Sequence, residues 1–158
     1  IGDAHYEVAA QLGREKLTNM PGLNEFTAAM EKVFNAADPD GLALFAAFKS
    51  MPLAEDTPAR AMQLAASLRE FRGSAHLIAI RAVGLTSKQA HYVKRPNDVK
   101  GFGWGEDDAP LVDDAVRALM VEAEKLTDAL CIPAYSVLNE AERKALVDGT
   151  RAFEAALK

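Results

Sequence analysis

The sequence has 158 residues, 49% of them apolar and 26% charged, a length and balance that suit one globular domain and argue against disorder. Its net charge of −5 is the wrong sign for a protein whose whole surface grips phosphates. No run approaches the roughly 18 to 20 uncharged apolar residues of a membrane-spanning helix. No basic-then-apolar leader opens the chain, and a lone cysteine, Cys131, excludes an internal disulfide and fits a reducing compartment. The expectation is a cytoplasmic protein folded as a single domain over residues 1–158.

Caps, prolines and glycines divide the chain into about eight helical candidates. The first runs from Ala4 to Leu17 behind an Asp3 cap and closes at Asn19-Met20-Pro21-Gly22. The second, Leu23 to Ala37, sets Leu23, Phe26, Met30, Val33 and Phe34 on one face. Asp38-Pro39-Asp40-Gly41 is a turn. A short third helix carries Leu42, Leu44, Phe45 and Phe48, and residues 50–56 form a loop.

Thr57 as N-cap and Pro58 as first helical residue start a fourth helix that runs to Arg72 and buries Met62, Ala65, Leu68 and Phe71. Gly73 either ends it or lets it bend into a fifth, Ser74 to Val83. Gly84 breaks that one, and Thr86 with Gln89 forms a capping box for a sixth, Ser87 to Lys94, stopped at Arg95-Pro96. Val99 to Asp108 reads as a loop around Gly101-Phe102-Gly103-Trp104-Gly105. A long helix is expected from Ala109 to Leu130, with Val112, Val116, Leu119, Ala123, Leu126 and Leu130 as its inner stripe, before Pro133 breaks it. Asn139 with Glu142 caps a last helix through Leu146 and Phe153. Strand-like alternation is absent, so the fold class is all-α, a bundle of seven or eight helices.

Three places carry possible chemistry. If the helix passes through Gly73, then Arg69, Arg72 and His76 fall at i, i+3 and i+7 on one face. Two guanidinium forks and an imidazole there suit a carboxylate or phosphate ligand; the ordinary alternative pairs the arginines with surface carboxylates and leaves His76 to packing. The segment from His76 to Arg95 has the form of a helix-turn-helix, with Ala79, Ile80 and Val83 inside, Gly84 as the turn, and Ala90 and Val93 facing inward. That leaves Lys88, His91, Tyr92, Lys94 and Arg95 for DNA. The cations Lys88, Lys94, Arg95 and Lys100 against Asp98 make Thr86–Lys100 locally +3, although two short helices around a glycine also occur as plain bundle corners. Trp104, beside Phe102 in the glycine loop, either contacts a ligand or tucks onto the nearest core.

Catalytic groupings are missing. His5, His76 and His91 lie in separate elements with no metal-ligand spacing around them, Cys131 sits between Leu130 and Ile132 as a buried thiol would, and no phosphate-binding glycine loop follows a strand. Asp107-Asp108 and Asp113-Asp114 are accounted for by the dipole of the long helix. No catalytic residue, metal or cofactor is expected, and an enzyme is the least favoured class.

The stretch Pro58 to Leu85, with Leu68-Arg69-Glu70-Phe71-Arg72-Gly73-Ser74-Ala75-His76 followed by Ala82-Val83-Gly84-Leu85, resembles a bacterial helix-turn-helix-containing family of unassigned function, distantly MarR-like. Its members carry leucine-arginine-glutamate-histidine-arginine-glycine-aspartate-glycine-histidine at that place. Here Phe71, Ser74 and Ala75 depart from the string, while Arg72, Gly73 and His76 keep it. Residues Gly103-Trp104 through Leu157 are similar to the family's C-terminal part, with the region of the wing shortened. The resemblance implies a helix-turn-helix lineage without its wing, and a fragment or a reduced relative of longer members.

Two functions follow as expectations. One is a non-enzymatic protein that binds a small acidic ligand or a partner, using Arg69, Arg72, His76 and Trp104. The other is a wingless helix-turn-helix DNA-binding regulator using Lys88, His91, Tyr92, Lys94 and Arg95, which would act as a dimer. A third alternative is a structural subunit of a homo-oligomer.

Overall fold

The computed structural model describes residues 2–158, apart from the Glu106 side chain. Among the described residues there are seven α-helices and no strand: α1 Gly2–Lys16, α2 Leu23–Ala36, α3 Ala43–Lys49, α4 Thr57–Ala82, α5 Ser87–Lys94, α6 Asp114–Tyr135 and α7 Glu140–Ala156. Two 3-10 turns, Val99–Phe102 and Glu106–Asp108, lie in the loop between α5 and α6. The all-α expectation holds, and no described helix is long and apolar enough to cross a membrane.

Five boundaries differ from the sequence reading, each for a local reason. The first helix starts at Gly2, so Asp3 stands in its first turn instead of capping it. In α4 the cap is Asp56, one residue earlier than expected: its carboxylate accepts from the Ala59 amide at 3.2 Å. The fourth and fifth helices are one, because α4 is continuous through Gly73. A mid-helix glycine costs only about 1 kcal/mol relative to alanine, and burial of Phe71, Ala75 and Ala79 on either side outweighs that.

The start of α6 is fixed by Asp113, whose carboxylate accepts from the Val116 amide at 2.9 Å. The helix also continues past Pro133 to Tyr135. Pro133 deprives the Ala129 carbonyl of its helical donor, but both residues are exposed in the final turns, where a carbonyl need not lose its hydrogen bonding to solvent. The buried stripe of α6 is Val116, Met120, Ala123, Thr127, Cys131 and Ala134. Leu119 and Leu130, expected inside, are exposed.

The chain divides into two compact units, one of residues up to Ser74 together with Cys131–Lys158, the other Ala75–Leu130. In the first, Phe45 lies at the centre, with Phe34 edge-on at 6.0 Å and Phe71 at 5.0 Å between ring centroids. The Tyr6 hydroxyl sits in this core 2.6 Å from Ser67 Oγ and donates to the Phe48 carbonyl. Burial raises its pKa, the Ser67 contact opposing the shift. Gln63 ties the same region together, donating to the Tyr6 carbonyl and accepting from the Ala54 amide. Lys49 donates to the carbonyls of Asn35 and Ala37 at the end of α2, completing helix ends that would otherwise lack partners.

Two glycines set close approaches in this unit. At Gly13 a Cβ would lie within 3.0 Å of the Pro58 carbonyl, and at Gly149 it would strike the Phe26 ring as closely. Gly149 is thus what lets α7 rest on α2. At Gly73, by contrast, a Cβ meets only the Glu70 carboxylate, at 3.9 Å. We therefore expect Gly13→Ala and Gly149→Ala to lower stability by roughly 1–3 kcal/mol each through overpacking, and Gly73→Ala to raise it by about 0.5–1 kcal/mol. Urea denaturation followed by circular dichroism measures all three, and the opposite signs make the comparison internal.

Candidate nucleic-acid interface

The second unit is built around the corner between α4 and α5. Helix α4 ends on Gly84 in the left-handed region, φ 86°, a conformation that favours glycine. The Leu85 amide donates to the Ile80 carbonyl at 3.0 Å and the Gly84 amide to the Arg81 carbonyl at 3.1 Å. This is the Schellman arrangement, which satisfies the last carbonyls of a helix and brings the residue after the glycine back onto it. Leu85 is accordingly 1% exposed, packed with Ile80 in a core that also holds Ala79, Ala90, Val116, Met120 and Ala123. Val83, Val93, Val112 and Leu126 close over it.

Helix α5 opens immediately afterwards with the expected capping box: Gln89 N donates to Thr86 Oγ1 and Thr86 N to Gln89 Oε1, both at 3.1 Å. Ala90 and Val93 face inward as the sequence implied. With 3.6 residues per turn, Lys88 and Tyr92 then share the opposite face, with His91 beside them.

That outward face is covered by the chain's own loop. The Tyr92 hydroxyl donates to the Gly105 carbonyl at 3.1 Å, and Tyr92 stacks on Trp104 at 6.2 Å and 19°. Trp104 stacks in turn on Phe102, at 5.0 Å and 26°. His91 sets its ring at a steep angle to Phe102, 4.7 Å away, and to Trp104, while its Nδ1 donates to the Ser87 carbonyl at 2.8 Å. Lys88 Nζ lies 5.3 Å from the centre of the Trp104 ring and pairs with Asp108 at 3.2 Å. Asp108 also accepts from the Gly105 amide at 3.0 Å. These two donors, the Gly105 amide first and Lys88 second, hold its carboxyl below the usual range.

The remaining residues singled out in the sequence fall as follows. Lys94 is exposed and pairs with Glu124 at 2.8 Å; Arg95, just past the helix, is exposed. Trp104 is half-buried in the ring cluster just described. Arg69, Arg72 and His76 keep their i, i+3, i+7 spacing on the unbroken α4. Arg69 is largely exposed and bridges to Glu70 at 2.6 Å. Arg72 is exposed; the Tyr135 phenol is raised by burial and by Cys131, with the Arg72 charge opposing both. His76 is half-buried, its Nδ1 2.9 Å from Thr127 Oγ1. Because the Thr127 hydroxyl already donates to the Ala123 carbonyl, it can only accept from His76, which places a proton on Nδ1.

Asp108 escaped the sequence reading, where it passed for an acidic residue at a helix start. Phe102 and Lys100 were seen but not assigned to the site. Among the described residues no cluster of His, Cys, Asp and Glu could hold a metal ion.

A glycine-turned helix pair with its own three-sided core defines the helix-turn-helix class. Residues 1–109 match the model of a helix-turn-helix family, and the chain belongs to that family. The match ends before α6 begins. No curated protein and no solved structure matches the chain.

The loop's attachment carries a pH dependence. A carboxyl held low in the folded state contributes above its ordinary range near 3.8 and loses that contribution as acid protonates it through the lowered value. We expect the near-ultraviolet circular dichroism of Trp104 to change on acidification below that range. In Asp108→Asn the corresponding change should be absent, with a spectrum at neutral pH already shifted toward the acid form.

Proposed function

We propose that this chain is a DNA-binding protein that meets phosphates with the cations gathered at the α5 end of the second unit. The observation that carries the reading is the α4–α5 corner itself. It is a capped, glycine-turned helix pair in a chain of a helix-turn-helix family, with Lys88, Lys94, Arg95 and Lys100 all within or just after its second helix. Lys88 and Lys94 are ion-paired within the fold. Among the described residues, Arg95 and Lys100 have no ion-pair partner and are the cations best placed to displace counterions from a phosphate backbone.

A second reading, a small acidic ligand held by Arg69, Arg72 and His76, draws support from the continuity of α4 through Gly73, which keeps the three on one helical face. The bridge from Arg69 to Glu70 already neutralises one of its three donors.

Bulk DNA, part duplex and part heat-denatured, tests the first reading in a low-salt gel shift. The expected result is a complex that dissolves as salt rises, weakened about tenfold or more in the Arg95→Glu, Lys100→Glu double variant. Absence of any shift at low salt would remove it. Thermal shifts with anionic metabolites that vanish in Arg72→Ala would favour the second reading instead.

A further inference from the structure

A recognition helix reads duplex DNA by laying a bare outward face in the major groove, which is about 12 Å wide. In this chain the corresponding face of α5 is not bare. Its three outward side chains, Lys88, His91 and Tyr92, all contact the loop residues Phe102, Trp104, Gly105 or Asp108. Helix and loop together are wider than the single helix a groove admits.

What the loop presents in exchange is a different recognition surface. Tyr92, Trp104 and Phe102 form a series in which each ring is stacked on the next, with interplanar angles of 19° and 26°. Phe102 ends the series, with the His91 ring set at a steep angle to it 4.7 Å away, and is 54% exposed. The next planar group in such a stack would be supplied from outside. Lys100 belongs to the same 3-10 turn as Phe102, and Arg95 precedes that turn. Neither has an ion-pair partner among the described residues. The acids in the segment are Asp98, Glu106, Asp107 and Asp108, of which Asp108 is paired with Lys88.

An exposed aromatic ring with cations close by in the chain matches a nucleobase on a phosphate backbone. In a duplex the bases are stacked on each other and show no open face; only an unpaired base can add to a protein ring. We propose that the DNA bound by this chain is single-stranded, with an unpaired base stacked on Phe102 and the adjoining phosphates met by Lys100 and Arg95. This rests on the DNA-binding reading above and specifies the form of DNA.

The test uses the full chain and fluorescence anisotropy with labelled oligothymidylate of about 12 nucleotides, within the span that stacking sites cover, against a duplex of equal length. The strand should bind roughly tenfold tighter or more than the duplex and should quench Trp104, the one tryptophan in the sequence. Phe102→Ala and Phe102→Leu should each weaken strand binding about five- to a hundredfold, the range for loss of one base–aromatic stack. Unchanged far-ultraviolet circular dichroism in the leucine variant would confirm that the fold is intact. Phe102→Trp should retain binding.

Duplex bound as tightly as the strand, or strand binding indifferent to Phe102, would overturn the single-strand proposal and leave the DNA reading standing. So would an Asp108→Asn variant that gains duplex affinity without changing strand affinity, because the loop would then be a lid over α5. Binding to neither form would overturn both readings.

Discussion

The seat of Ala90 in the core of the second unit is the constraint from which the functional geometry follows. Ala90 is 5% exposed among Ala79, Ile80, Leu85, Met120 and Ala123. A larger side chain at this position would have to displace those packed neighbours. Gly84 aims the chain at this seat: its left-handed φ returns Leu85 onto Ile80, and the capping box of Thr86 and Gln89 starts α5 without a spare residue. Once Ala90 is inside, the helical repeat leaves Lys88 and Tyr92 no direction but outward. The ring cluster, the Lys88–Asp108 pair and the Tyr92–Gly105 hydrogen bond all depend on that orientation.

Most of the fold was legible because its signals are local. Caps with a specific hydrogen bond, such as Thr86 with Gln89 and Asn139 with Glu142, were placed at their observed positions. Pro133 misled, and Gly73 left two readings open, because both are breakers by propensity, yet the price of each is about the size of a few buried methylenes. Neighbouring packing decided against them. The α6 stripe was legible at Val116 and Ala123, with Val112 and Leu126 packed on the same core, but counting large apolar side chains also selects Leu119 and Leu130, which are exposed. Burial instead selected Met120, Thr127 and Cys131. Thr127 tolerates the interior because its hydroxyl closes onto the Ala123 carbonyl four residues back, a possibility that hydrophobic periodicity does not weigh.

The site was half legible for a related reason. Periodicity gave the outward face of α5, but the partners that cover it are 10 to 20 residues further along the chain, as in His91 with Phe102 or Lys88 with Asp108. No periodic pattern encodes a loop contact of that kind. The alternation of glycine with Phe102 and Trp104 was a usable signal, because glycines between two rings let a short loop turn both toward one helix. Its target was invisible until the helix face had a direction in space.

Charge points the same way as shape. A lysine held over a tryptophan ring and paired with a carboxylate is already largely neutralised, so moving a phosphate against it would release little counterion and would have to break the Asp108 contact first. Lys88 is in that position, and Lys94, paired with Glu124, is close to it. The local excess of positive charge read from Thr86–Lys100 is therefore unevenly available: it resides in Arg95 and Lys100, at the far end of α5 and in the loop. In a chain of net charge −5, a contact set that small gives weak attraction to a rigid duplex, and under the single-strand proposal most of the affinity would have to come from stacking. The unused cations and the exposed ring thus lie on the same short stretch of backbone, residues 95–102.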